Sequence, residues 1–132
     1  MEYNLSVFTA ALLFAGITYV SAQSGTGGSQ QYPDVLAAKV RPRGANTFDF
    51  DVTISSPYDT AERYADAFRV LGPDGTVYGE RILLHEHASE QPFTRDLYGV
   101  TIPPGITFVI VQGRDKRHGY GGKTITVTLP GR

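Results

Sequence analysis

The stretch "TFDFDVTIS", residues 47–55, constrains the fold most, because its apolar and polar residues alternate. Successive side chains of a β-strand point to opposite faces, so Phe48, Phe50, Val52 and Ile54 would share one face of a strand. No window of the chain shows the apolar spacing of an amphipathic helix. Short runs rich in β-branched and aromatic residues recur instead, bounded by Gly, Pro and Asp. The pattern predicts an all-β fold.

Seven antiparallel strands are predicted, separated by turn signals at intervals of about eight to twelve residues. They cover residues 35–40, 47–55, 65–71, 76–85, 93–100, 107–113 and 123–129. Between the third and fourth, "GPDG" suits a tight turn because Pro73 presets φ and Gly75 accepts a positive φ. The sixth run, "TFVIVQG", is apolar on both faces, which predicts a central strand.

Strands with these spacings resemble those of a seven-stranded immunoglobulin-like or fibronectin-III-like β-sandwich. The chain has no Cys and no Trp, so Phe68 in the third strand takes the place of the core aromatic. The segments "RYADAFRVLGPDG", "LLHEHASEQPFTRDL" and "HGYGGKT" also resemble those of a group of short exported bacterial proteins of uncharacterised function. The first resemblance implies a sandwich fold, and neither supplies an activity.

Residues 1–22 are predicted to be a signal peptide, because the apolar run over residues 5–20 is followed by the small residues Ser21 and Ala22. An uncleaved membrane anchor is the alternative, although spanning a bilayer takes about 20 apolar residues. Residues 23–31, "QSGTGGSQQ", form a Gly/Ser/Gln leader with nothing to bury. Residues 32–132 form the sandwich domain. We therefore expect an exported protein, periplasmic or secreted.

The charge balance and the residue types present argue against several classes of function. The formal net charge is −1, and it falls to zero without Glu2 of the predicted signal peptide. No nucleic-acid partner is expected from this balance, and no membrane partner unless the N-terminal segment is retained. The absence of Cys excludes thiolate catalysis, no Ser lies in a nucleophile-elbow context, and a small sandwich has little room to exclude water. We expect a protein that is not an enzyme.

If the strands alternate up and down, the connections after the second, fourth and sixth strands lie at one end of the sandwich. These connections read "SPYDTAERY", "HEHASEQP" and "RDKRHGYGG", and they carry all three histidines. Loops held on a rigid sheet scaffold commonly carry function. The leading prediction is an interaction module that uses this end to recognise a protein or glycan partner. The predicted recognition residues are Tyr58, Asp59, Arg63, Tyr64, Arg117 and Tyr120.

The alternative is a periplasmic zinc- or copper(II)-binding protein. His85 and His87 would point the same way in an extended chain, and imidazole is a good ligand for both metals. His118 would supply a third nitrogen, and Asp115 or Glu90 a carboxylate. The opposing interpretation needs no cofactor: His85 is the last core-facing residue of the fourth strand, and the other two histidines are solvated. A pH-sensitive surface is a third interpretation.

The glycine-rich "GYGG", residues 119–122, also has two interpretations. Its backbone amides would cradle an anion in one of them. In the other, which we favour, its glycines allow a tight connection with positive φ angles, with or without a bulge. The phosphate-binding motifs need a strand-to-helix context that the sequence does not show.

Overall fold

The computed structural model describes residues 30–132 and folds them into seven β-strands. The strands are β1 (Asp34–Gly44), β2 (Thr47–Ser55), β3 (Ala65–Leu71), β4 (Val77–Ile82), β5 (Phe93–Thr101), β6 (Phe108–Asp115) and β7 (Gly119–Thr128). The predicted signal peptide and residues 23–29 of the leader lie outside the described residues. Within the part of the chain that is described, no helix is long and apolar enough to cross a membrane.

The strands form two antiparallel sheets that pack as a sandwich. One sheet has the order β1-β2-β5 and the other the order β4-β3-β6-β7. The prediction of an all-β, seven-stranded antiparallel sandwich is therefore confirmed. β6 lies between β3 and β7, as its apolar character on both faces predicts.

The core lies between the sheets and is built by the alternating residues. Phe48, Phe50, Val52 and Ile54 of β2 are all buried, and the residues between them are half-buried. The other sheet contributes a second set of buried side chains: Phe68, Val70, Val109 and Val111. Burying a large apolar side chain stabilises a fold by about 1.5–3 kcal/mol, so this strand alternation accounts for the two-layer packing.

Two strands differ from the predicted bounds at the end that carries the histidines. β4 stops at Ile82, three residues before the predicted end at His85, and Leu83 then donates its amide N–H to the Asp66 carbonyl. β7 begins at Gly119 instead of residue 123, because the "GYGG" residues pair with the end of β6. Both shifts change the surroundings of the predicted site residues.

Candidate functional site

The β2–β3 connection contacts two other connections at one end of the sandwich. The carboxylate of Asp59, in the β2–β3 connection, accepts the amide N–H of His87 in the β4–β5 connection at 3.0 Å. Arg63, also in the β2–β3 connection, pairs with Asp115 at the end of β6. We call this surface, made of residues 56–64, 83–92 and 115–118, the loop end. The β2–β3 connection is its centre, because it contacts both of the others.

Asp59 is predicted from the sequence as a recognition residue, but the structure buries it. Its side chain accepts two backbone amide N–H groups, from Ala65 at 3.1 Å and from His87 at 3.0 Å. Only 5% of Asp59 is exposed. A buried carboxylate that satisfies two buried donors holds the backbone in place. Asp59 therefore fixes the geometry of the loop end and is not part of its outer surface.

Arg63 and Asp115 form a second buried anchor. The Arg63 Nε lies 3.2 Å from the nearer oxygen of Asp115, whose side chain has no exposed area. Asp115 also accepts the amide N–H groups of Arg117 and His118, at 2.9 and 2.8 Å. Burial alone would raise the pKa of Asp115. The neighbouring Tyr58 hydroxyl, the two amides and the Arg63 guanidinium outweigh burial and hold this pKa below its ordinary value.

Tyr58 completes this anchor from the inner side. The Arg63 guanidinium lies 4.0 Å from the centre of the Tyr58 ring. The Tyr58 hydroxyl is buried and lacks a hydrogen bond of regular geometry. Burial and then the nearby Asp115 carboxylate raise the pKa of this hydroxyl far above its ordinary value. Of the predicted recognition residues, Tyr58 and Arg63 thus serve mainly to brace the loops.

The chain enters the domain at the same loop end. Arg63 donates to the carbonyl oxygens of Gln30 and Gln31, at 2.6 and 2.8 Å. Tyr32 and Pro33 then lie so close to glycines of β6 and β7 that a Cβ atom on Gly121 would collide with the Tyr32 ring. The segment that precedes β1 is therefore packed on the "GYGG" residues.

This packing accounts for the glycine-rich motif. Gly119 and Gly122 have positive φ angles of 86° and 78°, which side chains other than glycine rarely adopt. The register of β6 and β7 shifts between Val111 and Gly113, so the strands carry an irregularity here. The positive φ angles of the favoured interpretation are found at Gly119 and Gly122 but not at Gly121, and all three glycines lie in β7 instead of in a connection. The close approach of Tyr32 and Pro33 adds a reason for these glycines that the local sequence does not contain.

The two neighbouring histidines are placed differently from either prediction. His87 is buried, with 4% exposed, whereas His85 is exposed and follows β4. The His87 ring stacks on Phe93 with its centre 4.0 Å away and an angle of 11° between the planes. The centres of the His85 and His87 rings lie 4.7 Å apart. The interpretation of His85 as a core-facing residue and His87 as a solvated one is therefore wrong, because the chain leaves the strand before reaching them.

His87 carries an unsatisfied polar atom. Its Nδ1 is buried and has no hydrogen-bond partner. Burial, followed by the charges of Arg95 and His85, lowers the pKa of His87 below the ordinary value of 6.5, while Asp59 and Glu90 oppose this change. Burial at the edge of the core therefore favours the neutral form of this imidazole.

The predicted metal ligands do not form one cluster. Within residues 30–132, no three His, Cys, Asp or Glu side chains are placed to hold one metal ion. Asp115 is buried against Arg63, Glu90 pairs with Arg95 at 3.0 Å, and the His118 ring lies edge-on to Tyr32 with the ring centres 6.1 Å apart. The set His85, His87, His118, Asp115 and Glu90 is thus not assembled as a single site, and metal binding stays a prediction.

Tyr120 lies away from the loop end. It belongs to β7, on the outer face of the four-stranded sheet, where the Arg69 guanidinium lies 3.7 Å from the centre of its ring. Its hydroxyl donates to Glu80 in a short hydrogen bond. Burial and then Glu80 raise the pKa of this hydroxyl above its ordinary value. Tyr120 is therefore part of a polar network on the sheet face.

The outward-facing residues of the loop end include one that the sequence prediction missed. Leu84 is 83% exposed, the largest exposure among the large apolar residues of the described chain. The Tyr64 hydroxyl donates to the Leu84 carbonyl at 3.4 Å, and the Lys116 Nζ lies 4.9 Å from the centre of the Tyr64 ring. Arg117 and His118 are exposed next to Lys116. The sequence prediction missed Leu84 because it assigns the run "ILLH" to the end of the fourth strand.

Comparison with known proteins yields one similar sequence. The chain is 37% identical over 94 residues to a "Putative lipoprotein" of Halomicrobium mukohataei, an alignment that covers 71% of this chain and 46% of that protein. The chain thus spans about half the length of the curated relative it matches. No protein-family model matches the chain, and no solved structure matches it.

Proposed function

We propose that the protein is an exported β-sandwich interaction module that binds a protein or glycan partner through its loop end. The observation that carries the proposal is Leu84, which is 83% exposed although its loop is fixed by buried hydrogen bonds. The Ser56 amide donates to the Gln91 side chain at 2.7 Å, which ties the other end of the same loop to β2. Because the backbone of this loop is already fixed, less ordering of the chain is needed when a partner covers the Leu84 side chain.

Tyr64 donates to the Leu84 carbonyl and contacts Lys116, which Arg117 follows in the chain, and these residue types suit binding surfaces. Tyrosine offers a large apolar area with a polar tip, and it is enriched at energetically important positions of interfaces, as is arginine. The contact surface we propose therefore consists of Tyr64, Leu84, His85, Lys116 and Arg117. Tyr58, Asp59 and Arg63 hold it in shape from below.

Export is supported by the apolar sequence over residues 5–20 and by the name of the similar protein. We further propose that the domain is of the fibronectin-III or immunoglobulin-like type, because it places three strands against four with loops gathered at the sandwich ends. In such domains one set of end loops commonly forms the binding surface. No catalytic role is included in the proposal.

The test is cross-linking in the native host, with a photoreactive amino acid placed at position 85, followed by identification of the captured molecule. We expect one main adduct, reduced at least tenfold by Leu84→Ser. The matched control is Leu36→Ser, since Leu36 is also exposed, at 44%, but lies in β1. Equal capture by wild type and Leu84→Ser would show that the loop end is not the contact surface.

Zinc or copper(II) binding is retained as the alternative because the His85 and His87 rings lie 4.7 Å apart. Binding to the native state would raise the melting temperature, and His85→Asn should remove the rise. An unchanged melting temperature with micromolar metal would discard this alternative, whereas a rise that His85→Asn abolishes would support it.

A further inference from the structure

A small open cavity beside the exit of β4 has an unusual lining. It has a volume of about 130 Å³ and is lined by residues 81–85 together with His87 and Arg95. None of these residues is acidic, and four of them carry a guanidinium or an imidazole. The volume accommodates several water molecules or a small polyatomic ion. We call this cavity the basic pocket.

The charged side chains of the basic pocket are held in place by groups outside it. Arg81 donates to the Asp96 carbonyl at 2.9 Å and lies 3.3 Å from the Asp96 carboxylate. Arg95 forms a bidentate pair with Glu90. Because Asp96 and Glu90 do not line the pocket, they position the two arginines without filling the space between them.

His87 adds an independent observation that points to a ligand. Only 4% of His87 is exposed, and its Nδ1 has no hydrogen-bond partner. Leaving a buried polar atom unsatisfied is costly, and such atoms in native structures call for a specific explanation. A bound group that supplies a hydrogen-bond partner for this nitrogen gives one.

The rim of the basic pocket is apolar. Ile82 is 45% exposed and Leu84 is 83% exposed, and both line the pocket. Guanidinium groups recognise carboxylate and phosphate oxygens with favourable geometry. A ligand that fits this surface therefore combines an oxyanion with an adjacent apolar group.

We propose that the basic pocket binds a carboxylate or phosphate group of the partner while Ile82 and Leu84 cover an apolar group next to it. This inference rests on the proposed function in taking the loop end as the binding surface, and it adds the chemical class of what is bound. Arg81 and Arg95 hold the oxyanion, and the buried His87 ring lines the same pocket.

The experiment is an NMR titration of the arginine Nε–H and histidine ring signals with sodium acetate, hexanoate or phosphate, at ionic strength held constant with sodium chloride. We expect saturable shifts for Arg81, Arg95 and His87, and about tenfold tighter binding of hexanoate than acetate, since the apolar rim buries part of the longer chain. The variant Arg81→Gln/Arg95→Gln should weaken binding at least tenfold. Arg41→Gln, which removes an exposed ion pair of β1, should not.

The outcomes distinguish a carboxylate ligand from a phosphate ligand. They also distinguish failure of this inference from failure of the proposed function. Chemical shifts that change linearly with the anion concentration, or that are equal in wild type and in the double arginine variant, would overturn the proposed binding in the basic pocket. Equal binding of acetate and hexanoate, or a hexanoate advantage that survives Leu84→Ser, would overturn the apolar part. Phosphate that binds more tightly than hexanoate would assign the site to phosphate groups. If no anion binds while the cross-linked partner of the loop end is still captured, this inference fails and the proposed function stands.

Discussion

Replacement of Asp59 by alanine tests the claim that its buried carboxylate holds the β2–β3 and β4–β5 connections together. The change leaves the amide N–H groups of Ala65 and His87 without their acceptor. An unsatisfied buried donor costs about 1–3 kcal/mol, and the His87 loop can move to let water reach one of the two. We therefore expect Asp59→Ala to lower the free energy of unfolding by about 3 kcal/mol.

The assay is urea unfolding at 25 °C together with a thermal scan. For a domain of this size, 1 kcal/mol corresponds to a change of about 4–8 °C in melting temperature, so the expected loss is roughly 15 °C. Asp59→Asn keeps one acceptor oxygen and should lose about half as much. Asp74→Ala is the control, because Asp74 accepts a single exposed amide N–H in the β3–β4 turn and its loss should cost below about 1 kcal/mol.

Hydrogen exchange gives a second, local measurement of the same change. The amide protons of Ala65 and His87 should exchange faster in Asp59→Ala relative to the global unfolding rate, while those in the middle of β2 should not. If Asp59→Ala lost less than about 1 kcal/mol, or no more than Asp74→Ala, the carboxylate would not be the anchor that its two hydrogen bonds suggest.

Two further predictions concern neighbouring features of the loop end. The pKa of His87 is lowered from 6.5, so the unfolded chain binds the proton more readily than the folded chain. The melting temperature should therefore fall as the pH drops below about 6.5. His87→Phe should reduce this fall, whereas His118→Asn should leave it unchanged. Gly122→Ala should lower the free energy of unfolding by about 1–3 kcal/mol more than Gly119→Ala, because both have a positive φ but only Gly122 faces Pro33. A pH dependence that persists in His87→Phe, or equal losses for the two glycine variants in urea unfolding, would contradict these accounts.

Local sequence patterns predict the strands well where burial depends only on alternation. The bounds of β2 and β3 match the predicted ranges, and Phe48 through Ile54 face the core as the two-residue period requires. β6 is apolar on both faces and lies inside its sheet. In each case the signal is contained within one strand, so no knowledge of distant contacts is needed.

The environments of the site residues could not be predicted in the same way. Whether His85 or His87 is buried depends on Phe93 and on the Asp59 carboxylate, which lies 28 positions earlier. Tyr32 and Pro33 pack on the glycines at the start of β7, nearly ninety positions away along the chain. Such contacts join separate strands and loops, and neither periodicity nor composition records them.

The position of Gln30 limits how far the loop end can lie from a surface that holds the preceding segment. Arg63 fixes the carbonyls of Gln30 and Gln31 beside Asp115, so anything joined to the chain before Gln30 starts from the loop end. A fully extended chain spans at most about 3.6 Å per residue, so residues 23–29 reach roughly 25 Å. If Ala22 or its neighbours were held at a surface, a partner bound at the loop end would also lie within about this distance of that surface, and the opposite end, with the β1–β2 turn, would face outward.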